Sequence, residues 1–148
     1  MDKKKIAKTK FDGGYNCAQS VLTPFAGEMN IDVGTALKLS AGFGAGMGRT
    51  QKTCGALTGA YMVLGLKYGK GFPDDESNEK VAGLIQDFTE KFKAEHEFTD
   101  CSDLLKVDLK TEEGQRTYTK NNLHDKVCNN CLKGAVKLLE DIIEKNGE

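Results

Sequence analysis

The run TCGALTGAYMVLGL at residues 53–66 places the tightest constraint on how this chain can fold. It is apolar enough for a core, yet four of the six residues 55–60 are small: Gly55, Ala56, Gly59 and Ala60. Glycine inside a helix is destabilising by roughly 0.5–1 kcal/mol relative to alanine, so two of them need a structural reason. Gly55 and Gly59 are four apart and share one helical face, where they form a bare stripe. A bare stripe lets a second helix approach closely. Cys54 stands just before the stripe, so a close crossing there would bring a thiol up against the neighbouring helix.

The rest of the chain reads as helical. Caps and apolar periods predict helices over 2–11, over 16–28 with Asn16 as N-cap and Pro24 as a kink, and from Asp32 to Leu39. A Gly-rich loop is expected over 41–52, then a helix capped by Thr53 that stops near 69–71. A long amphipathic helix is expected over 75–97, with Val81, Leu84, Ile85, Phe88 and Phe92 on one face. A short helix over 101–106 is capped by Asp100 or Thr99, and a polar stretch from 107 is part loop and part helix. The last helix starts at about 125 or 130 and runs to about 145. No strand pattern, repeat or linker interrupts the 148 residues, so the expected fold class is all-α: a single multi-helix domain over 1–148 with a Gly-rich loop.

Charge and cysteine usage narrow the function. With 21 basic and 22 acidic residues, nothing points to a nucleic-acid partner. The longest nearly apolar run, 54–66, falls short of the ~20 residues a membrane span requires. The charged N-terminus MDKKKIAKTKFDGG does not read as a secretory signal, and a cytoplasmic location is expected. Five cysteines in this setting suggest metal, redox or packing roles rather than a disulfide framework.

The cap pattern puts Cys17 behind Asn16, Cys54 behind Thr53, Cys101 behind Asp100 and Cys131 behind Asn130. A thiol in a helix's first turn sits near free N–H groups, which can lower its pKa from about 8.5 to roughly 3.5–7.5. Buried inert packing is the alternative for each. Cys128 and Cys131 form CNNC, and His124, Cys128 and Cys131 could line one stripe as metal ligands. His96, in a charged stretch, is expected to be solvated. The loop GFGAGMGRT matches no nucleotide-binding fingerprint. Gly44, Gly46 and Gly48, with Gly55, would instead let backbone wrap a group beside Cys54, and Arg49 would stabilise a thiolate or an anion.

The segments GYNCAQSVL (14–22), GFGAGMGR (42–49), CGALTGA (54–60) and CSDLL (101–105), followed by a cysteine-led last helix, resemble the C_GCAxxG_C_C family of redox-active proteins. The resemblance implies a small helical protein with four characteristic cysteines, often encoded beside transporter genes. It carries over to Cys17, Cys54 and Cys101. For the fourth, the family helix has an alanine seven residues on and a Leu-Leu-Glu-like run at ten to twelve. Ala135, Leu138, Leu139 and Glu140 give Cys128 that register. Cys131 then stands where the family is usually apolar, as an extra thiol, a resolving partner or packing.

Two redox chemistries would use Cys17, Cys54, Cys101 and Cys128 as one site. In one, thiols cycle with disulfides: Cys54 attacks and Cys17 or Cys101 resolves. In the other, the four thiolates hold an iron–sulfur cluster, [2Fe–2S] in the first instance. A binding module for a soft ion such as Cu(I) or zinc is the rival class, with structural cysteines as the remaining one. A redox partner, an associated transporter and a homodimer are the partner expectations. On this reading Cys131 is the most dispensable of the five cysteines.

Overall fold

Five helix starts are written directly into side chains. Asp2 accepts from the Lys4 and Lys5 amides and opens α1 (Lys3–Asp12). Asn16 and Gln19 form a reciprocal capping box at α2 (Cys17–Ala26). Asp32 accepts from the Thr35 amide at α3 (Val33–Ser40). Asp74 accepts from Ser77 at α5 (Asp75–His96), and Thr111 accepts from Gly114 at α7 (Glu112–Lys120). The other three helices are α4 (Gly55–Tyr68), α6 (Cys101–Leu105) and α8 (Asn130–Lys145). This computed structural model describes residues 2–146, and among them there are eight α-helices and no strand. None of the helices is long and apolar enough to cross a membrane.

The polar stretch after 107 resolves into a loop and α7. A 3₁₀ turn at Ala41–Phe43 extends α3 into the segment expected to be loop. A π-helical turn at His124–Asn129 leads without interruption into α8. The helix containing Cys128 therefore begins before that residue, and Cys128 lies inside it rather than in its first turn.

The core is built on α2 and α4, with α1, α5 and α8 packed around them. Leu22, Phe25, Leu57, Leu64, Phe88, Phe92, Leu132 and Leu139 are its largest apolar members. The glycine stripe is where α4 meets α2. A Cβ on Gly59 would lie 2.7 Å from the Ala18 carbonyl oxygen and 3.2 Å from Val21 Cβ. One on Gly55 would collide with Cys17 Sγ. The small residues therefore hold two helices at backbone contact, as the sequence pattern required.

Thr53 is not the cap of α4. It pairs with Asp100 in an isolated antiparallel bridge, and Cys54 takes the N-cap position. The Cys54 amide donates to the Thr99 carbonyl (2.8 Å), and the Cys101 amide donates to the Lys52 carbonyl (2.7 Å). This short pairing fastens the starts of α4 and α6 side by side. It brings together two cysteines that lie far apart in sequence.

Candidate functional site

Cys17, Cys54, Cys101, Cys128 and Cys131 line a single cavity of about 160 Å³. Its remaining walls are mostly apolar, including Phe11, Ala45, Leu104, Leu105, Leu109 and Val127. Each cysteine arrives on a different structural device. Cys17 opens α2 and is held over Gly55 by the α2–α4 crossing. Cys54 and Cys101 are set by the bridge. Cys128 sits on the π turn, and Cys131 follows on α8. All five are free thiols.

The expected lowering of thiol pKa values is reversed. Burial, followed by the neighbouring Cys54, pushes Cys17 up from its usual 9.0 to about 11. Burial, with the other cysteines adding to it, pushes Cys101 and Cys128 each up to about 12. Magnitudes explain the outcome. A rise from 9.0 to about 11 corresponds to about 3 kcal/mol, whereas a helix end supplies about 0.3–1 kcal/mol. Backbone N–H groups do reach the sulfurs: Ala45, Gly55 and Ala18 at Cys17, and Ala56 and Leu57 at Cys54. They oppose the effect of burial without overcoming it.

Cys54 is held well above the usual thiol range, first by a hydrogen bond with Cys131 and then by burial. Cys54 and Cys131 are thus neighbours in the cavity, close enough for each thiol to affect the other. Cys131 is only 2% exposed and belongs to the cavity wall. The thiol expected to be the most dispensable of the five therefore shares the cavity with the other four.

Two polar residues at the site carried no local signal in the sequence. Tyr118 donates to Cys128 Sγ at 3.4 Å, which lowers that thiol against the larger effect of burial. Gln51 is 5% exposed, and its amide clasps the loop after α6. Its Nε2 donates to the Val107 carbonyl and its Oε1 accepts from the Leu109 amide, both at 2.8 Å. It also favours ionised Cys101 slightly, against the larger effect of burial. Both residues act across 10 to 58 positions of sequence, beyond the reach of periodicity or cap rules.

The glycine loop contributes differently from residue to residue. Gly46 and Gly55 line the cavity. Gly44 packs on the Asn16 cap, where a Cβ would lie 2.5 Å from Asn16 Cβ. Gly48 takes a left-handed φ of 64°, and a Cβ there would meet only the Gly42 carbonyl oxygen, at 3.9 Å. Arg49 is exposed and is not among the cavity residues, so it has no contact with the thiols. Ala45, Gly46, Met47, Gly48 and Arg49 all have φ between 50° and 70°, followed by Gln51 at 54°. This left-handed run turns the Ala45 amide onto Cys17.

Both histidines depart from expectation. His124 lies outside the cavity lining; its ring stacks on Phe11 at 4.2 Å and its Nε2 is 2.9 Å from Asp12 Oδ1. Its neighbours are Asp12 and Asp125, whose carboxylates and the imidazole fall within 4.8 Å of one another. Among the described residues no three thiols meet that distance. His96 is not solvated. Its side chain is 8% exposed, its ring lies on Phe92 at 4.3 Å, and its Nε2 abuts Gly134.

Comparison with known proteins found no matching curated protein and no matching solved structure. Comparison with protein families did find a match: residues 15–142 fit the family described as "Putative redox-active protein (C_GCAxxG_C_C)". The matched span contains all five cysteines, the α2–α4 crossing and every residue lining the shared cavity except Phe11. The chain therefore belongs to the C_GCAxxG_C_C family.

Proposed function

We propose that this protein is a thiol–disulfide redox protein whose reacting pair is Cys54 and Cys131. The observation that carries this reading is that Cys54 and Cys131 are interacting neighbours within a small cavity lined by five free cysteines. Two neighbouring thiols in one small cavity have only a short distance to travel to form a disulfide. Its raised titration keeps Cys54 protonated at neutral pH, and the thiol, unlike the thiolate, is a poor nucleophile. The reduced pair would thus be held in reserve until a disulfide partner reaches it. Cys17, Cys101 and Cys128 surround the pair and supply further electrons or further resolving thiols.

The test is direct. The reduced protein is treated with diamide, blocked with N-ethylmaleimide and mapped by peptide mass spectrometry. A Cys54–Cys131 disulfide, with loss of two hydrogens, is the expected product. Absence of that bond, with all thiols remaining blockable, overturns the reading.

A second reading rests on its own observation. The thiols raise one another's pKa values, and five backbone N–H groups are directed at Cys17 and Cys54. Iron would reverse that mutual repulsion, and N–H groups directed at sulfur tune cluster potentials. Cys17, Cys54, Cys101 and Cys128 would be the ligands of an iron–sulfur cluster, which would supply one-electron transfer. The separation of the thiols does not suit a single tetrahedral ion, whose ligands crowd more closely. Anaerobic purification with iron and sulfide analysis decides this reading. Colourless protein free of both after reconstitution rules it out.

A further inference from the structure

The cavity has a neighbour. A groove of about 440 Å³ lies on the outer side of the wall, between the end of α5 and the start of α8. Cys131, Leu104 and Val127 line both spaces, and no other residue does. They form a partition one side chain thick, and Cys131 is the only cysteine in it. The groove side carries ions of both signs, including Glu97, Asp103, Lys106 and Lys126. It also carries His96, whose buried Nε2 has no hydrogen-bond partner and lies 3.8 Å from the nearest carboxylate, Glu95. A buried polar nitrogen without a partner is uncommon and suits a ligand's polar group. Gly134, which this nitrogen abuts, is three residues after Cys131, so ring and thiol sit on the same face of α8.

We propose that Cys131 is the port thiol of the site: it exchanges with low-molecular-weight zwitterionic disulfides that lie in this groove and reach it when Leu104 and Val127 part. This deepens, and rests on, the assignment of Cys54 and Cys131 as the reacting pair. In the first step Cys131 sulfur attacks one sulfur of the external disulfide RS–SR. The S–S bond breaks, a Cys131–S–SR bond forms, and RS⁻ leaves with the proton from Cys131 as RSH. In the second step Cys54 Sγ attacks Cys131 Sγ, the Cys54–Cys131 S–S bond forms, the bond from Cys131 Sγ to SR breaks, and a second RSH leaves with the Cys54 proton. The protein dithiol loses two electrons, and the external disulfide gains them as two thiols. The ammonium and carboxylate groups of an amino-acid disulfide match the mixed charges of the groove.

Cystine is the probe. In Cys54→Ser the second step is blocked, so the mixed disulfide should accumulate on Cys131, located by peptide mapping. An adduct on Cys17, Cys101 or Cys128 with Cys131 still free overturns the port, even where diamide has produced the Cys54–Cys131 bond in wild type. If diamide fails to produce that bond, the underlying pair assignment fails instead. Leu104→Ala and Val127→Ala thin the partition from opposite sides. Either variant that keeps its helical circular dichroism should react about tenfold faster with cystine, because less local opening is needed. An unchanged rate in folded variants overturns the gate. Cystine should also outpace the uncharged bis(2-hydroxyethyl) disulfide in wild type. That preference should vanish in the Lys106→Asn/Lys126→Gln double variant. Equal rates in wild type overturn the zwitterionic class.

Discussion

Gly59→Ala isolates the close crossing that sets the thiol chamber. The added methyl would sit 2.7 Å from the Ala18 carbonyl oxygen and 3.2 Å from both Ala18 Cα and Val21 Cβ. Two of these three atoms are backbone of α2, which cannot rotate away as a side chain would. The helices must separate by a few tenths of an ångström, or the packing must stay compressed. Overpacking of this kind costs about 1–3 kcal/mol. Alanine's better helix propensity returns about 0.8–1 kcal/mol. The net expectation is a loss of up to about 2 kcal/mol. For a chain of this length that lowers Tm by up to roughly 8 °C. Gly65→Ala is the matched control on the same helix, because nothing lies within 4 Å of its added methyl. It should gain about 0.5–1 kcal/mol. Thermal unfolding of the reduced proteins, followed by circular dichroism, compares them. If Gly59→Ala rises in Tm as Gly65→Ala does, the argument from close approach is wrong.

Three further outcomes follow from the site. Arg49→Gly relieves a left-handed φ of 63° at an exposed residue, so it should stabilise by about 1 kcal/mol in urea unfolding while leaving alkylation rates of all five thiols unchanged; slower alkylation would restore a role for its charge. Tyr118→Phe removes the hydrogen bond that favours ionised Cys128, so its titration should move further up and iodoacetamide should modify it more slowly at pH 9 (roughly the usual thiol range); faster modification would refute the assignment. Alkaline stability has a definite sign: Cys17, Cys101 and Cys128 stay protonated when folded up to about 11, 12 and 12, whereas the unfolded thiols ionise near 9.0. Their contribution is intact below that pH and is lost as pH rises from 9.0 towards the folded values, by up to about 1.4 kcal/mol per pH unit for each thiol. Replacing Cys17 with serine should flatten the measured slope of unfolding free energy above pH 9 (roughly the unfolded thiol pKa), and an unaltered slope would show that Cys17 does not ionise on unfolding.

What could be read from the sequence was local. Asp2, Asn16, Asp32 and Asp74 bind amides two or three residues on, so the helices they start were legible one at a time, whereas the helix behind Thr111 was read only as part of a polar stretch that is part loop and part helix. The Gly55/Gly59 stripe was legible for the same reason: its spacing is a property of one helix. The order of the cysteine segments pointed to the family. The tertiary structure decided everything that depends on distance across the chain. Which helix crosses the stripe, and that Cys17 lies on Gly55, follows from the packing of α2 on α4. The pairing of Thr53 with Asp100 replaced a cap that local rules favoured. The π turn at His124–Asn129 placed Cys128 inside a helix, and packing on Phe92 buried His96 in an otherwise charged stretch. The sign of the thiol shifts was decided there too. A helix end acts within one turn and is read from neighbours, whereas desolvation sums over every atom that excludes water, and those atoms come from the whole fold.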